Sequence, residues 1–214
     1  MNFIFSNLNA IVLVIWLVFL AIVVIRYFHG AWVKDISYFK LILIAVGLNI
    51  FYALFVSWGQ YYVWATSSDF TRSLLNSPLP KEVPFYAWAR PFFENHLGYF
   101  LHYVLGRVWL NILVLFLFSA SLYFLLKIWK FYRGNFLEQG PELLLLLMLI
   151  SGWPGVLVSI PLGFFLSVLF IIFSYFKKTA PKTLSLKTVL IEPAFILATF
   201  ISLLFSRIIL SLLL

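Results

Sequence analysis

Long apolar runs separated by short polar segments dominate this sequence. The runs cover about 10–25, 41–63, 101–126, 143–176 and 192–214. A helix needs about 20 apolar residues to cross the ~30 Å hydrocarbon core of a bilayer, and most of the runs reach that length. The alternating ten-residue segments of an outer-membrane barrel are absent from the sequence. The pattern predicts an all-α polytopic membrane protein that forms a single integral membrane domain over 1–214.

The run over 143–176 contains no charged side chain and is too long for an ordinary span. As one straight helix it would measure ~51 Å. Ser151-Gly-Trp-Pro-Gly155 interrupts it, and Pro161 follows. We therefore expect a helical hairpin that is broken between Ser151 and Pro161, with both arms shorter than a normal span and about six membrane segments in all. A re-entrant segment and one kinked span are the alternatives.

Small residues recur at every fourth position in the last two apolar runs. On a helix this spacing makes a smooth face on which a second backbone can approach closely. We expect the two faces to pack against each other, and they are also the candidate faces for binding another membrane protein. The first face comprises Ser151, Gly155, Ser159, Gly163 and Ser167, and the second comprises Ala194, Ala198, Ser202 and Ser206.

The longest polar segment, 66–97, is rich in aromatic residues. Ser68-Asp69 predicts the start of a short helix. The aromatic residues that follow alternate with charged ones, as is typical of an element lying in the headgroup layer. We expect an extracytoplasmic interfacial segment here, and a lid over a cavity is the functional alternative.

Basic residues indicate how the chain is oriented in the membrane. Residues 1–9 contain no Lys or Arg, whereas Arg26, Lys34 and Lys40 follow the first span. Cytoplasmic loops carry the excess of Lys and Arg. The distribution predicts a multi-pass protein of the cell membrane with both termini extracytoplasmic, and an organelle membrane is the alternative location.

Composition narrows the possible partners and cofactors. The formal charge of +8 belongs mostly to loops beside apolar runs, which fits anionic lipid headgroups better than nucleic acid. The absence of cysteine excludes disulfides, zinc–thiolate sites and iron–sulfur clusters. His96 and His102 are expected near the outer surface and His29 near the other, and they do not face each other across an obvious pair of helices at one depth, as two haem ligands would. We therefore expect no cofactor and no metal.

Six polar residues in or near the apolar runs are candidates for a polar pathway. Asn49 falls ~14 Å beyond Lys40, close to mid-membrane. Glu192 precedes a proline and fits the start of a helix. Arg207 is expected to face the bundle and to meet Asn111, Glu94 or Gln60, since an isolated arginine in lipid is costly. The six candidates are Asn49, Gln60, Arg107, Asn111, Glu192 and Arg207.

Three classes of function fit these observations. A structural, assembly or partner-binding membrane subunit needs only packing faces and interfacial aromatic residues, and we expect this class. The alternative is a small transporter, channel or lipid-handling protein with a polar pathway near Arg107, Asn111 and Arg207. An intramembrane enzyme fits least, because the sequence contains no phosphate-binding glycine loop, no metal-binding helix motif and no nucleophile elbow. No catalytic residue is therefore predicted.

Overall fold

A computed structural model of the chain describes residues 7–30, 36–81, 89–133, 140–176 and 186–213; the side chains of 133, 174–176, 186–190, 207 and 212–213 are not described. Every regular element in these ranges is helical. The α-helices are α1 (Leu8–Phe28), α2 (Tyr38–Ser67), α3 (Asp69–Leu75), α4 (Gly98–Val104), α5 (Leu110–Arg133), α6 (Pro141–Ser151), α7 (Val156–Phe176) and α8 (Leu186–Leu213). A 3-10 turn covers Arg90–Phe93, and a π turn (Leu105–Trp109) joins α4 to α5.

Four stretches of helix are long and apolar enough to cross a membrane. They are Leu8–Phe28, Tyr38–Ser67, Gly98–Tyr132 and Val156–Phe173. Two shorter apolar helices, Pro141–Ser151 and Ile191–Ser206, accompany them. The predicted fold class is confirmed: the chain is an all-α helical membrane protein.

The chain divides into two compact units, and the first contains 1–47 and 114–214. Its centre is the short helix α6, which packs against α1, α7 and α8. Nine of its eleven residues are buried, because leucines point outward on every side of the helix and each side has a neighbour. Gly140 at φ +86°, Pro141 and Glu142 begin α6, and the hydroxyl of Tyr123 on α5 donates to Glu142 Oε1 at 3.4 Å.

The predicted break in the long apolar run is confirmed and lies at 152–155, between α6 and α7. Gly152 has φ +64°, a value that glycine adopts without a steric penalty. The expectation that both arms are shorter than a span is wrong for α7, which has 21 residues and a length of ~31 Å. Pro161 does not end this helix, because a membrane helix tolerates the loss of a single backbone donor.

Helix α8 also begins earlier than the sequence predicts. It starts at Leu186, so that Pro193 lies inside the helix. Glu192 is therefore an interior residue of α8, and its predicted role at the start of a helix is wrong. A proline at this position removes one intrahelical hydrogen bond, which does not stop a helix that is packed against neighbours.

The second compact unit covers 48–113. The segment between α2 and α4, as far as it is described (68–81 and 89–97), is called the cap below. Its first helix, α3, begins with the predicted Ser68, whose hydroxyl accepts from the backbone N–H of Thr71 at 3.2 Å. Side chains of α3 in turn satisfy carbonyls at the end of α2: Thr71 Oγ1 donates to the carbonyl of Trp64, and Arg72 Nε to that of Ala65.

Backbone hydrogen bonds close the cap. The N–H of Leu79 donates to the carbonyl of Phe93 at 3.0 Å, and the N–H of Tyr99 donates to that of Ser77 at 3.1 Å. Arg90 Nη2 donates to the carbonyl of Lys81 at 2.7 Å. Leu79, Ala89 and Phe93 form a small hydrophobic cluster inside the cap, and Leu75 joins Phe100 and Val104 of α4 in a second one. The segment between the spans is thus a folded element with its own core.

Candidate functional site

The two small-residue faces meet along the contact between α7 and α8, the most extensive helix contact of the first unit. Ser202 Oγ on α8 donates to the carbonyl of Gly155 at 2.7 Å. Eight residues further along the chain, Gly163 of α7 lies against the ring of Phe195. Residue numbers rise from Gly155 to Gly163 while those of their partners fall from Ser202 to Phe195, so α7 and α8 run antiparallel. The two small-residue faces therefore pack against each other within one chain.

Burial follows the four-residue spacing. Eight of the nine small residues are buried, and Ser206 is half-buried. Ser151 belongs to α6 and not to α7, so the first face is divided by the break. The serine hydroxyls bond to backbone carbonyls: Ser151 Oγ donates to Leu147, and Ser167 Oγ donates to Gly163. Backbone carbonyls therefore satisfy these buried hydroxyls, which allows the serines to lie in the packed faces.

The break between α6 and α7 is closed by its own hydrogen bonds. The first backbone donors of α7, at Val156, Leu157 and Val158, donate to the carbonyls of Gly152, Pro154 and Gly155 at 2.8–3.0 Å. In transporters, the free N-termini of broken helices point at anionic substrate groups. Here those donors already have acceptors within the turn.

The six polar candidates are divided between the two units. Asn49, Gln60, Arg107 and Asn111 belong to the second unit, and Glu192 and Arg207 belong to the first. Asn49 and Glu192 are buried, and Gln60 is half-buried. The side chain of Arg207 lies outside the described part of the chain, so its expected contact with Asn111, Glu94 or Gln60 stays a prediction.

Arg107 and Asn111 are exposed, and their side chains bond to their own helix. Arg107 Nη1 donates to the hydroxyl of Tyr103 at 3.2 Å, and Asn111 Nδ2 donates to the carbonyl of Arg107 at 2.8 Å. Arg107 lies in the π turn and Asn111 follows it in α5; the sequence did not predict this turn. Single π turns inside α-helices are frequent at functional sites.

The cap exposes two large aromatic side chains. Phe70 on α3 is 70% exposed, and Phe92 in the 3-10 turn is 69% exposed. The core of the cap is packed by other residues, so the rings of Phe70 and Phe92 do not contribute to it. Exposed apolar side chains that form a contiguous patch mark binding surfaces for protein or membrane, whereas single ones are common on protein surfaces. We call Phe70 and Phe92 the cap aromatic pair.

A third small-residue face was missed in the sequence. Ala45, Asn49 and Ala53 recur every fourth residue on α2 and are buried, and Ser57 continues the series. Ser57 Oγ accepts from the indole N–H of Trp109 at 3.2 Å. The same four-residue spacing that revealed the other faces was present here, with Asn49 in the place of a smaller residue.

In the described ranges, no group of three or more His, Asp or Glu side chains is placed to hold a metal ion. Comparison of the chain with protein-family models, with curated proteins and with solved structures gives no match. The structure itself defines the class, an all-α helical membrane protein with a folded cap.

Proposed function

We propose that the chain is a partner-binding subunit of the cell membrane, and that its cap aromatic pair binds an extracytoplasmic segment of another membrane protein. The helices serve as the anchor. The observation that carries the proposal is the exposure of Phe70 and Phe92 on a cap whose core and backbone are otherwise well satisfied.

The basic ends of the helices support an orientation. Arg26 lies in the last turn of α1, Lys40 in the first turn of α2, and Lys127 and Lys130 near the end of α5. With these ends in the cytoplasm, the cap is extracytoplasmic. Both termini are then also expected on the extracytoplasmic side.

The length of α2 favours protein over lipid as the occupant of the cap aromatic pair. Ser67 is ~40 Å beyond Lys40 along the helix, whereas the hydrocarbon core is ~30 Å thick. With α2 upright and Lys40 at the cytoplasmic boundary of the hydrocarbon, the cap begins ~10 Å above the opposite boundary. Phenylalanine rings at that height cannot reach the acyl chains, so a protein surface is the apolar environment open to them.

Site-specific photocrosslinking in cells tests the proposal. A photoreactive phenylalanine analogue is placed at 70 or 92, and matched controls carry it at Leu117 and Phe124, which are exposed on α5 within the apolar span. We expect one discrete protein adduct from the two cap positions and none from the controls. The variant Phe70→Ser should reduce the adduct formed at 92. Lipid adducts alone at 70 and 92 would overturn the proposal.

Buried Glu192 favours a second candidate, an ion-coupled transporter. A carboxyl group that is fully buried in a membrane helix is a feature of ion and proton pathways. Purified protein in liposomes with a pH-sensitive dye would reveal proton flux, and Glu192→Gln should abolish it. Glu142→Gln, at the start of α6, is the control. Absence of proton flux in the wild-type protein would contradict proton coupling through Glu192.

A further inference from the structure

Two contacts in the second unit fix the depth of the π turn. Ser57 and Trp109 are hydrogen-bonded, and the rings of Trp64 and Tyr103 are 5.0 Å apart. Ser57 lies 17 residues after Lys40, and Trp109 lies 18 residues before Lys127. Measured along each helix, Ser57 is ~26 Å from Lys40 and Trp109 is ~27 Å from Lys127.

The same measure places Arg107 at the boundary of the hydrocarbon. It lies ~30 Å from Lys127, close to the thickness of the hydrocarbon core. Tyr103 lies ~36 Å from Lys127, within the headgroup layer. Exposed Trp58 and Tyr62 on α2 lie at similar levels, as expected of an aromatic belt.

The π turn presents Arg107 on an open surface. Leu105 is 45% exposed, and nothing lies within 4 Å of the position where Gly106 would carry a Cβ. Tyr103 holds the guanidinium by the hydrogen bond to its hydroxyl and by its ring, whose centroid is 5.7 Å from Arg107 Cζ. Tyr103 is itself packed against Trp64. The arginine is therefore held in place on its inner side and exposed on its outer side.

We propose that Arg107, held by Tyr103, binds the phosphate of a phospholipid in the leaflet opposite Lys40 and Lys127. A guanidinium presents five N–H donors in a planar fork that matches two phosphate oxygens. Tyr103 accepts one of these donors, and no described carboxylate lies within salt-bridge distance of Arg107. Arg107 is exposed, so its remaining donors are open to a ligand at the level expected for the headgroup layer. The inference uses the membrane placement of the proposed function, but not the partner of the cap.

Native mass spectrometry of the detergent-purified protein tests the site, with phosphatidylglycerol and diacylglycerol as probes. We expect Arg107→Gln to weaken phosphatidylglycerol binding about tenfold, since a hydrogen bond to a charged group is lost. Arg107→Lys should also bind more weakly, because an ammonium cannot present two parallel donors. Arg72→Gln is the matched control, since Arg72 is exposed in the same unit but already paired with Asp69.

Two results would overturn the inference. One is unchanged phosphatidylglycerol binding in both Arg107→Gln and Arg107→Lys. The other is equal binding of diacylglycerol, which would mean that acyl contacts and not the phosphate hold the lipid. Tyr103→Phe keeps the ring and removes the hydroxyl, so reduced binding by this variant reports on positioning even if the arginine variants fold poorly. Photocrosslinking at 70 and 92 does not depend on this site, so the two proposals fail separately.

Discussion

Two glycines, Gly155 and Gly163, allow the close contact between α7 and α8. A Cβ on Gly155 would meet the carbonyl of Ser151 and would lie 3.1 Å from Ser202 Oγ. A Cβ on Gly163 would lie 2.6 Å from the ring of Phe195, which is itself packed edge-on against Phe164. Close approach of this kind brings backbones within dispersion distance, the main source of helix association in lipid.

Substituting alanine for Gly163 should therefore destabilise the protein. Overpacking a filled contact typically costs about 1–3 kcal/mol, and Phe195 is buried and has little room to move. Thermal unfolding in detergent measures the effect. Gly47→Ala is the control: Gly47 is helical with nothing within 4 Å of its Cβ position, so alanine there should be neutral or stabilising by up to about 1 kcal/mol. Equal unfolding temperatures for Gly163→Ala and the wild type would contradict the packing argument.

Ser202→Ala should destabilise the protein for a different reason. The substitution leaves the carbonyl of Gly155 without the hydroxyl donor at 2.7 Å, in a buried contact. The expected cost is about 0.5–2 kcal/mol, the range for buried hydrogen bonds in water and in membranes. Ser121→Ala serves as the comparison, because Ser121 is exposed and bonds only to its own helix. A smaller loss of unfolding free energy for Ser202→Ala than for Ser121→Ala would show that this hydrogen bond does not stabilise the protein.

At the scale of elements, the break between α6 and α7 is the defining feature of the first unit. It turns one long apolar run into a short buried helix and a full-length span. The first backbone N–H groups of α7 need no acceptors from elsewhere, since the carbonyls of Gly152, Pro154 and Gly155 accept from them. Irregular backbone at membrane depth is stable only when it is buried in protein or hydrated. Here α8 provides part of that burial through Ser202.

We expect the residues on either side of the α6–α7 pair to lie on the same membrane face. The hydrogen bond between Tyr123 and Glu142 keeps the start of α6 near the basic end of α5. The chain has no cysteine, so single-cysteine variants can be labelled cleanly. Asn135→Cys and Thr179→Cys, both outside the described residues, should react from the same side.

A cap position provides the reference for this labelling. Asn95→Cys is exposed and should react from the other side with a membrane-impermeant maleimide. Labelling of Asn135→Cys and Thr179→Cys from opposite sides would replace the hairpin with one kinked span.

The sequence predicts elements better than it predicts their ends and local irregularities. The lengths of the apolar runs located the spans, the Gly and Pro cluster located the break, and Ser68 located the start of α3. The extension of α8 back to Leu186 and the continuity of α7 through Pro161 were missed, because packing against neighbours outweighs the local effect of a proline. The π turn at Leu105–Trp109 was missed because it has no known pattern in a single sequence.

At the scale of the whole molecule, the chain combines two compact units with different kinds of stability. The first consists of apolar helices whose small residues face each other. The second includes the cap, where Leu79, Ala89 and Phe93 form a core of the kind found in water-soluble proteins. The sequence indicated the aromatic content of this segment but not its fold, because pairs such as Leu79 with Phe93 are distant in sequence and lie in irregular backbone.

Gly98, the first residue of α4, is the position where the cap closes most tightly. A Cβ there would meet the carbonyl of Phe93 and would lie 3.0 Å from the N–H nitrogen of Leu79, the two atoms that form the closing hydrogen bond. Backbone atoms cannot move aside as a side chain can. Gly98→Ala should therefore open the cap while the membrane helices remain folded.

Limited trypsin digestion followed by mass spectrometry measures this opening. Cleavage after Arg72 depends on the population of the open cap, and a cost of about 1–3 kcal/mol should raise its rate about tenfold or more. Helical circular dichroism should remain close to that of the wild type. Gly106→Ala is the control, because nothing lies within 4 Å of its Cβ position.

Opening of the cap should also remove the photocrosslink at Phe92, because partner binding is proposed to need the closed cap. Wild-type cleavage rates for Gly98→Ala would mean that the contact between Leu79 and Phe93 does not hold the cap closed.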